Sequence, residues 1–152
     1  MSNSSYGTIL AAISLDGKYL TREFSPALLC QRLLPLKEED SREILTDLDW
    51  DAPDKAAFRL KKINPSSLEK IFSLKHPFFL LGSPTANKLA LEAKAVDRIA
   101  LLWTPSLYPE RKKFLIEASF PAHQRIKFKL ESWEVFPEGC ACHYKVAANE
   151  KR

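Results

Sequence analysis

From Arg125 to Glu131 the chain alternates charged and apolar side chains without a break: Arg125-Ile126-Lys127-Phe128-Lys129-Leu130-Glu131. A period of two belongs to a strand, with Ile126, Phe128 and Leu130 on one face and Arg125, Lys127 and Lys129 on the other. The apolar face demands a partner layer, while the basic face can sit in water or hold a polyanion. Past Glu131 the phase changes, because Trp133 and Val135 share parity with Arg125 and Lys127. A bulge near Glu131-Ser132 would let both apolar sets reach the core.

The rest of the chain divides into a helix-rich part, about 25–75, and a strand-rich part, about 78–147. The apolar run Thr8 to Leu15 meets Asp16-Gly17 and then Lys18 to Phe24, a pattern that predicts an N-terminal hairpin. Ser25-Pro26 combines a cap oxygen with a proline at the first helical position and predicts a helix up to Pro35. Lys37-Glu38-Glu39-Asp40 suits the start of a second helix carrying Ile44, Leu45 and Leu48 and ending near Trp50. Asn64-Pro65 repeats the cap signal for a third, which stops before His76-Pro77, and Ala57-Phe58-Arg59-Leu60 reads as a short strand. Six further strands are expected at 78–81, 88–93, 98–103, 113–119, 125–135 and 140–147. The expected fold is therefore α+β: an N-terminal hairpin and about three short helices packed on a C-terminal, mainly antiparallel β-sheet. A length of 152 residues suits a single domain spanning 1–152.

Charge and cysteine usage bound the function classes. Twenty-three cations against 19 anions give a net charge of +4, a mild excess that favours an acidic partner without requiring one. Cys30, Cys140 and Cys142 are odd in number, and the last two sit too close along a strand to pair comfortably, so reduced thiols are expected. With neither a signal peptide nor a membrane span in sight, the expectation is a soluble cytoplasmic protein with no membrane partner.

Each motif that suggests chemistry is incomplete. Gly82-Ser83-Pro84-Thr85-Ala86-Asn87-Lys88 imitates a phosphate-binding loop, yet Asn87 stands where its second glycine belongs and Leu89 where a magnesium-binding hydroxyl belongs. A polar turn between strands fits better. Asp47-x-Asp49-x-Asp51 opens like a calcium loop, but Ala52 and Phe58 replace its glycine and its bidentate glutamate. Cys140, Cys142 and His143 are weak metal-ligand candidates, because a structural zinc needs a second close pair that the sequence lacks. No nucleophile is tied by local spacing to a base, and no acidic dipeptide of a helicase motor is present. Neither a cofactor nor an ATPase, hydrolase or metal site is assigned, and the chain reads as a non-enzyme. A small enzyme with a site dispersed around His143, Glu117 or Glu134 is the remaining catalytic option.

What is left is basic: Arg111, Lys112, Lys113, Arg125, Lys127 and Lys129, with Trp103, Tyr108, Phe114 and Trp133 nearby in sequence. These cations either contact phosphates of DNA or RNA or guard the solvent face and edge of a sheet. Leu33-Leu34-Pro35-Leu36-Lys37-Glu38-Glu39-Asp40 before Ile44-Leu45, then Leu68 to Leu74, His76-Pro77-Phe78-Phe79-Leu80 and Lys88-Leu89-Ala90-Leu91-Glu92 form a further pattern. From about Leu33 to Ala147 this order resembles the accessory N-terminal region of bacterial Swi/Snf-type helicase-like proteins. The resemblance implies a helicase-associated, non-catalytic domain, linked to an ATP-dependent DNA translocase and contacting nucleic acid or the ATPase motor. With no motor residue to carry over, the rival reading is a stand-alone protein-interaction adaptor.

Overall fold

The computed structural model describes residues 7–34, 42–50, 58–73, 77–110, 113–116 and 126–147. Within them lie seven strands: β1 (Gly7–Ile13), β2 (Arg42–Thr46), β3 (Phe58–Lys62), β4 (Phe79–Leu80), β5 (Val96–Trp103), β6 (Phe128–Phe136) and β7 (Gly139–Val146). Three α-helices accompany them: α1 (Pro26–Leu33), α2 (Pro65–Ser73) and α3 (Pro84–Glu92). One sheet takes all seven strands in the order β3-β2-β4-β1-β5-β7-β6.

That sheet is mixed rather than mainly antiparallel. β3, β2, β4, β1 and β5 run parallel to one another, and β7 alone runs the other way, pairing antiparallel with β5 on one side and β6 on the other. The sequence cause is burial on both faces. Ile9, Leu10, Ala11 and Ala12 are all fully buried, so β1 shows no alternation and behaves as the centre of a parallel sheet. Helices must then cover both sides. Leu29, Cys30 and Leu33 of α1 pack on Leu10, Ala12, Ala100 and Leu102, while Leu68 and Phe72 of α2 and Ala86, Ala90 and Leu91 of α3 pack on Ile9, Ala11, Ile99 and Leu101.

Several expected elements change type. The residues Ile44 and Leu45, assigned above to a second helix, form β2 with both side chains buried. The strand expected at 88–93 is the second half of α3, and Gly82-Ser83-Pro84 is its capped entry rather than a turn between strands. The Asp16-Gly17 turn does reverse the chain, with Gly17 at φ 80, but the return is one bridge of Ile13 to Tyr19 with no second strand behind it. Ser25 caps α1 through Leu28, and the Asn64 carboxamide accepts from the Ser67 N–H at the start of α2, both as expected. The expected strand at 113–119 reduces, among its described residues, to a single bridge at Phe114.

At the outer edge, β6 has the expected irregularity, a register shift between Leu130 and Ser132. Of its apolar residues only Phe128 and Phe136, at its two ends, touch the core. Leu130, Trp133 and Val135 stay 48%, 63% and 69% exposed, since α2 and α3 pack over the inner strands and leave this end of the sheet bare.

Candidate functional site

Parallel strands end together, so Ile13, Thr46, Leu80 and Trp103 lie on one rim of the sheet. In open parallel sheets a ligand crevice opens at this rim, where adjacent strands send their connections in opposite directions. Here that place is between β1, whose chain leaves through α1 towards β2, and β4, whose chain leaves through α3 towards β5. β5 keeps its pairing with β1 as far as Ile13 and Trp103, so Tyr19 bridges Ile13 from the β4 side. The segment after the Asp16-Gly17 turn therefore enters the crevice and lines it.

Tyr19 crosses the opening, its phenol donating to the Gly82 carbonyl at 2.7 Å. Burial first, and the Asp47 carboxylate after it, push this phenol well above its ordinary range, against the pull of a Thr21 hydrogen bond and the Arg22 charge. Tyr19 is thus a neutral donor. Thr21 fixes the segment from below, its hydroxyl accepting from the Ala12 N–H at 3.1 Å. On the opposite wall Asp47 accepts from the Ser83 N–H at 2.9 Å and from the Ser83 hydroxyl at 2.6 Å. The same hydroxyl accepts from the Ala86 N–H and caps α3. Gly82 is needed for this approach, because a Cβ there would meet Ala86 Cβ and Asp47 Oδ1, each at 3.0 Å.

Two flanks complete the rim. On one, Thr46 accepts from the Leu48 N–H and the Trp50 indole N–H, and Arg22 stacks 5.1 Å from the Trp50 ring while donating to the Asp49 carbonyl. On the other, Lys18 donates to Asp16 at 3.2 Å and to the Tyr108 carbonyl at 3.1 Å, with its ammonium 5.4 Å from the centre of the Phe114 ring. The Ser14 hydroxyl, followed by the Tyr108 N–H and Lys18, holds the Asp16 carboxyl down to about 2. Leu15, Leu107 and Phe114 stand exposed around this turn.

Of the described cations singled out from the sequence, only Lys113 stands at this rim. Lys113 is exposed at the rim, its carbonyl accepting from the Tyr19 N–H. Lys129 lies far below it, level with Lys145 and with Arg98 near the start of β5, and exposed Lys127 precedes β6. The structure does not gather these cations into one patch, and Arg111, Lys112 and Arg125 fall outside the described residues. Cys140 and Cys142 bring their sulfurs to 3.7 Å on one face of β7, whereas His143 points to the other and donates through Nε2 to the Leu33 carbonyl at 2.8 Å. Among the described residues no cluster of three metal-ligating side chains occurs. Glu134 is exposed on β6, and Glu117 lies outside the described residues. Of the calcium-loop-like residues, Asp47 is bound to Ser83 and Asp49 pairs with Lys62 at 2.7 Å, while Asp51 lies outside the described residues. Tyr19 belongs to no motif in the sequence, and Asp47 and Ser83 fall only in the calcium-loop and phosphate-loop patterns set aside above as incomplete. The available signal was the Ser83-Pro84 helix start directly after the apolar run Phe78 to Leu81, which locates a strand-to-helix passage at the rim.

No protein-family model matches the chain, and no curated protein matches it. Solved structures do share its fold. A putative riboflavin biosynthesis protein from Shewanella sp. PV-4 superposes with a TM-score of 0.54 at 14% identity, covering 93% of this chain and 99% of that one. A pyrimidine reductase-like protein from Corynebacterium diphtheriae gives 0.55 at 13% identity over 97% and 94% of the two chains. Acinetobacter baumannii RibD gives 0.55 at 16% identity, where the match spans 94% of this chain and 58% of that longer one. These matches overturn the resemblance to a helicase accessory region, and the segment Lys88 to Glu92, which entered that resemblance as a strand, is helical. The helicase-associated, DNA-binding and non-catalytic readings fall with it, because the proteins that share the fold from end to end are named a putative riboflavin biosynthesis protein and a pyrimidine reductase-like protein.

Proposed function

We propose that this chain is a small enzyme of the reductase class, acting on a polar heterocycle of pyrimidine type held at the crevice between β1 and β4. The observation that carries the reading is the end-to-end correspondence with a pyrimidine reductase-like protein, over 97% of this chain and 94% of that one. The crevice supplies matching chemistry. An ionised carboxylate has about four acceptor positions, and Ser83 occupies two at Asp47, leaving the rest for ring N–H groups of a substrate. Tyr19 and Ser83 fix the two walls, and Leu15, Leu107 and Phe114 offer apolar cover beside them. A reduction also requires an external hydride donor. The N-terminus of α3, a usual seat for a nucleotide phosphate, is taken by the Asp47 carboxylate, so these residues do not fit a phosphate there.

The test is a turnover screen in which pyrimidine and fused-pyrimidine heterocycles are offered with reduced nicotinamide as hydride donor, following donor oxidation. Turnover by the wild-type chain, lowered at least about tenfold in Asp47→Asn through a weakened charged hydrogen bond, is the expected result. Turnover that is undiminished in Asp47→Asn, or absent for every heterocycle, would contradict the reading.

A further inference from the structure

We infer that Cys140 and Cys142 form a two-thiolate chelate for a soft d10 metal ion, of the zinc, cadmium or copper(I) class, on the open face of β7. The site stands apart from the crevice, because β5 separates β7 from β1. Both residues are unbridged, half-buried thiols, and alternation along the strand puts them on one face with their sulfurs 3.7 Å apart. Two sulfurs held at about 2.3 Å by one tetrahedral ion lie about 3.8 Å from each other, so the pair already has the bite of a chelate. A disulfide suits it less well. Residues two apart on an extended strand have Cα atoms about 6.6 Å apart, at the far end of the span a disulfide tolerates.

The surroundings favour the thiolates and leave the ion an entry path. In the sheet Cys140 stands between Trp103 and Val135, and Cys142 between Leu101 and Trp133, four neighbours with no charge to repel a cation. Leu101 belongs to the core under α2 and α3 and Trp103 packs on it, whereas Trp133 and Val135 are exposed. The sulfurs therefore lie where the helical cover stops. Tyr144, next on the same face, accepts from Trp103 Nε1 at 3.2 Å and is hydrogen-bonded to Cys142. With its oxygen engaged by the indole, its single O–H is left to donate to the Cys142 sulfur, which orients that ligand and stabilises its anion, the part that outer groups play around metal ligands. His143 is no third ligand, since it points to the opposite face and is held by the Leu33 carbonyl. The described residues thus supply two sulfurs, a donor type selective for soft ions. Each thiol loses its proton to solvent as its sulfur takes the ion, and water or small solutes fill the remaining coordination positions.

Titration of the reduced full chain with cadmium chloride, followed by thiolate-to-metal absorption in the ultraviolet and with circular dichroism to confirm folding, tests the site. The wild type should develop the band and saturate at one ion per chain. Cys140→Ser and Cys142→Ser should each abolish saturation, while Cys30→Ala and His143→Ala leave it unchanged. Tyr144→Phe, which keeps the ring and removes the hydroxyl, should weaken binding on the order of tenfold. Should Cys142→Ser fail to fold, Cys140→Ser still decides. A wild type without a saturable band overturns the chelate, as does a band that survives in folded Cys140→Ser or is lost in folded His143→Ala or Cys30→Ala; an affinity unmoved in Tyr144→Phe overturns the orienting role of its hydroxyl.

Discussion

Asp16 shows how much a single half-buried carboxylate can fix when its partners are local. Ser14, Lys18 and the Tyr108 N–H all converge on it, tying the β1 turn to the loop after β5. Its carboxyl is lowered from 3.8 to about 2, chiefly by the Ser14 hydroxyl. A depressed folded-state value means stability that is present above the unfolded value and is lost as pH falls from about 3.8 to about 2. Asp16→Asn should therefore flatten the acid limb of a stability profile in this window and leave the neutral shape unchanged. Denaturant midpoints measured every half unit of pH would show it, and an unaltered acid limb would refute the role. The opposite case is Cys30, whose thiol burial pushes up to about 12, an inert member of the core under α1.

At the scale of elements, α3 joins stability to the site. Ser83 both caps its first turn and holds Asp47, so Ser83→Ala removes two services at once. A loss of about 1 kcal/mol in a urea titration is expected from the cap alone; an unchanged midpoint would deny the cap any weight. The same helix marks the limit of what could be read from sequence. Ser25-Pro26, Asn64-Pro65 and Ser83-Pro84 share one cap-plus-proline pattern, yet the expectation drawn from the third is a turn leading to a strand at 88–93. The deciding contacts are tertiary: Ala86, Ala90 and Leu91 are buried at helical spacing against α2 and the sheet. Ile44-Leu45 fails in the opposite sense, since a short apolar run buried on both faces has no period to betray it. For β6 the alternation and the bulge were legible, but the exposure of its apolar face was not, because sequence does not say where covering helices stop.

Across the whole molecule, parallel strand order matters most for function. Tyr19, Asp47 and Ser83 are separated by tens of residues and belong to no common motif, and they meet only because β1, β2 and β4 end on one rim. A search for local motifs could not assemble them. Of the basic residues that the sequence groups by proximity, Lys113 and Lys129 lie towards opposite ends of the sheet. The most direct test of the account is a map of backbone amide shifts on titrating the full chain with a pyrimidine heterocycle. The account predicts saturable shifts concentrated at Tyr19, Asp47, Gly82 and Ser83, with Lys127 and Lys129 unmoved; shifts centred on β6, or none at the β1 and β4 rim, would contradict it.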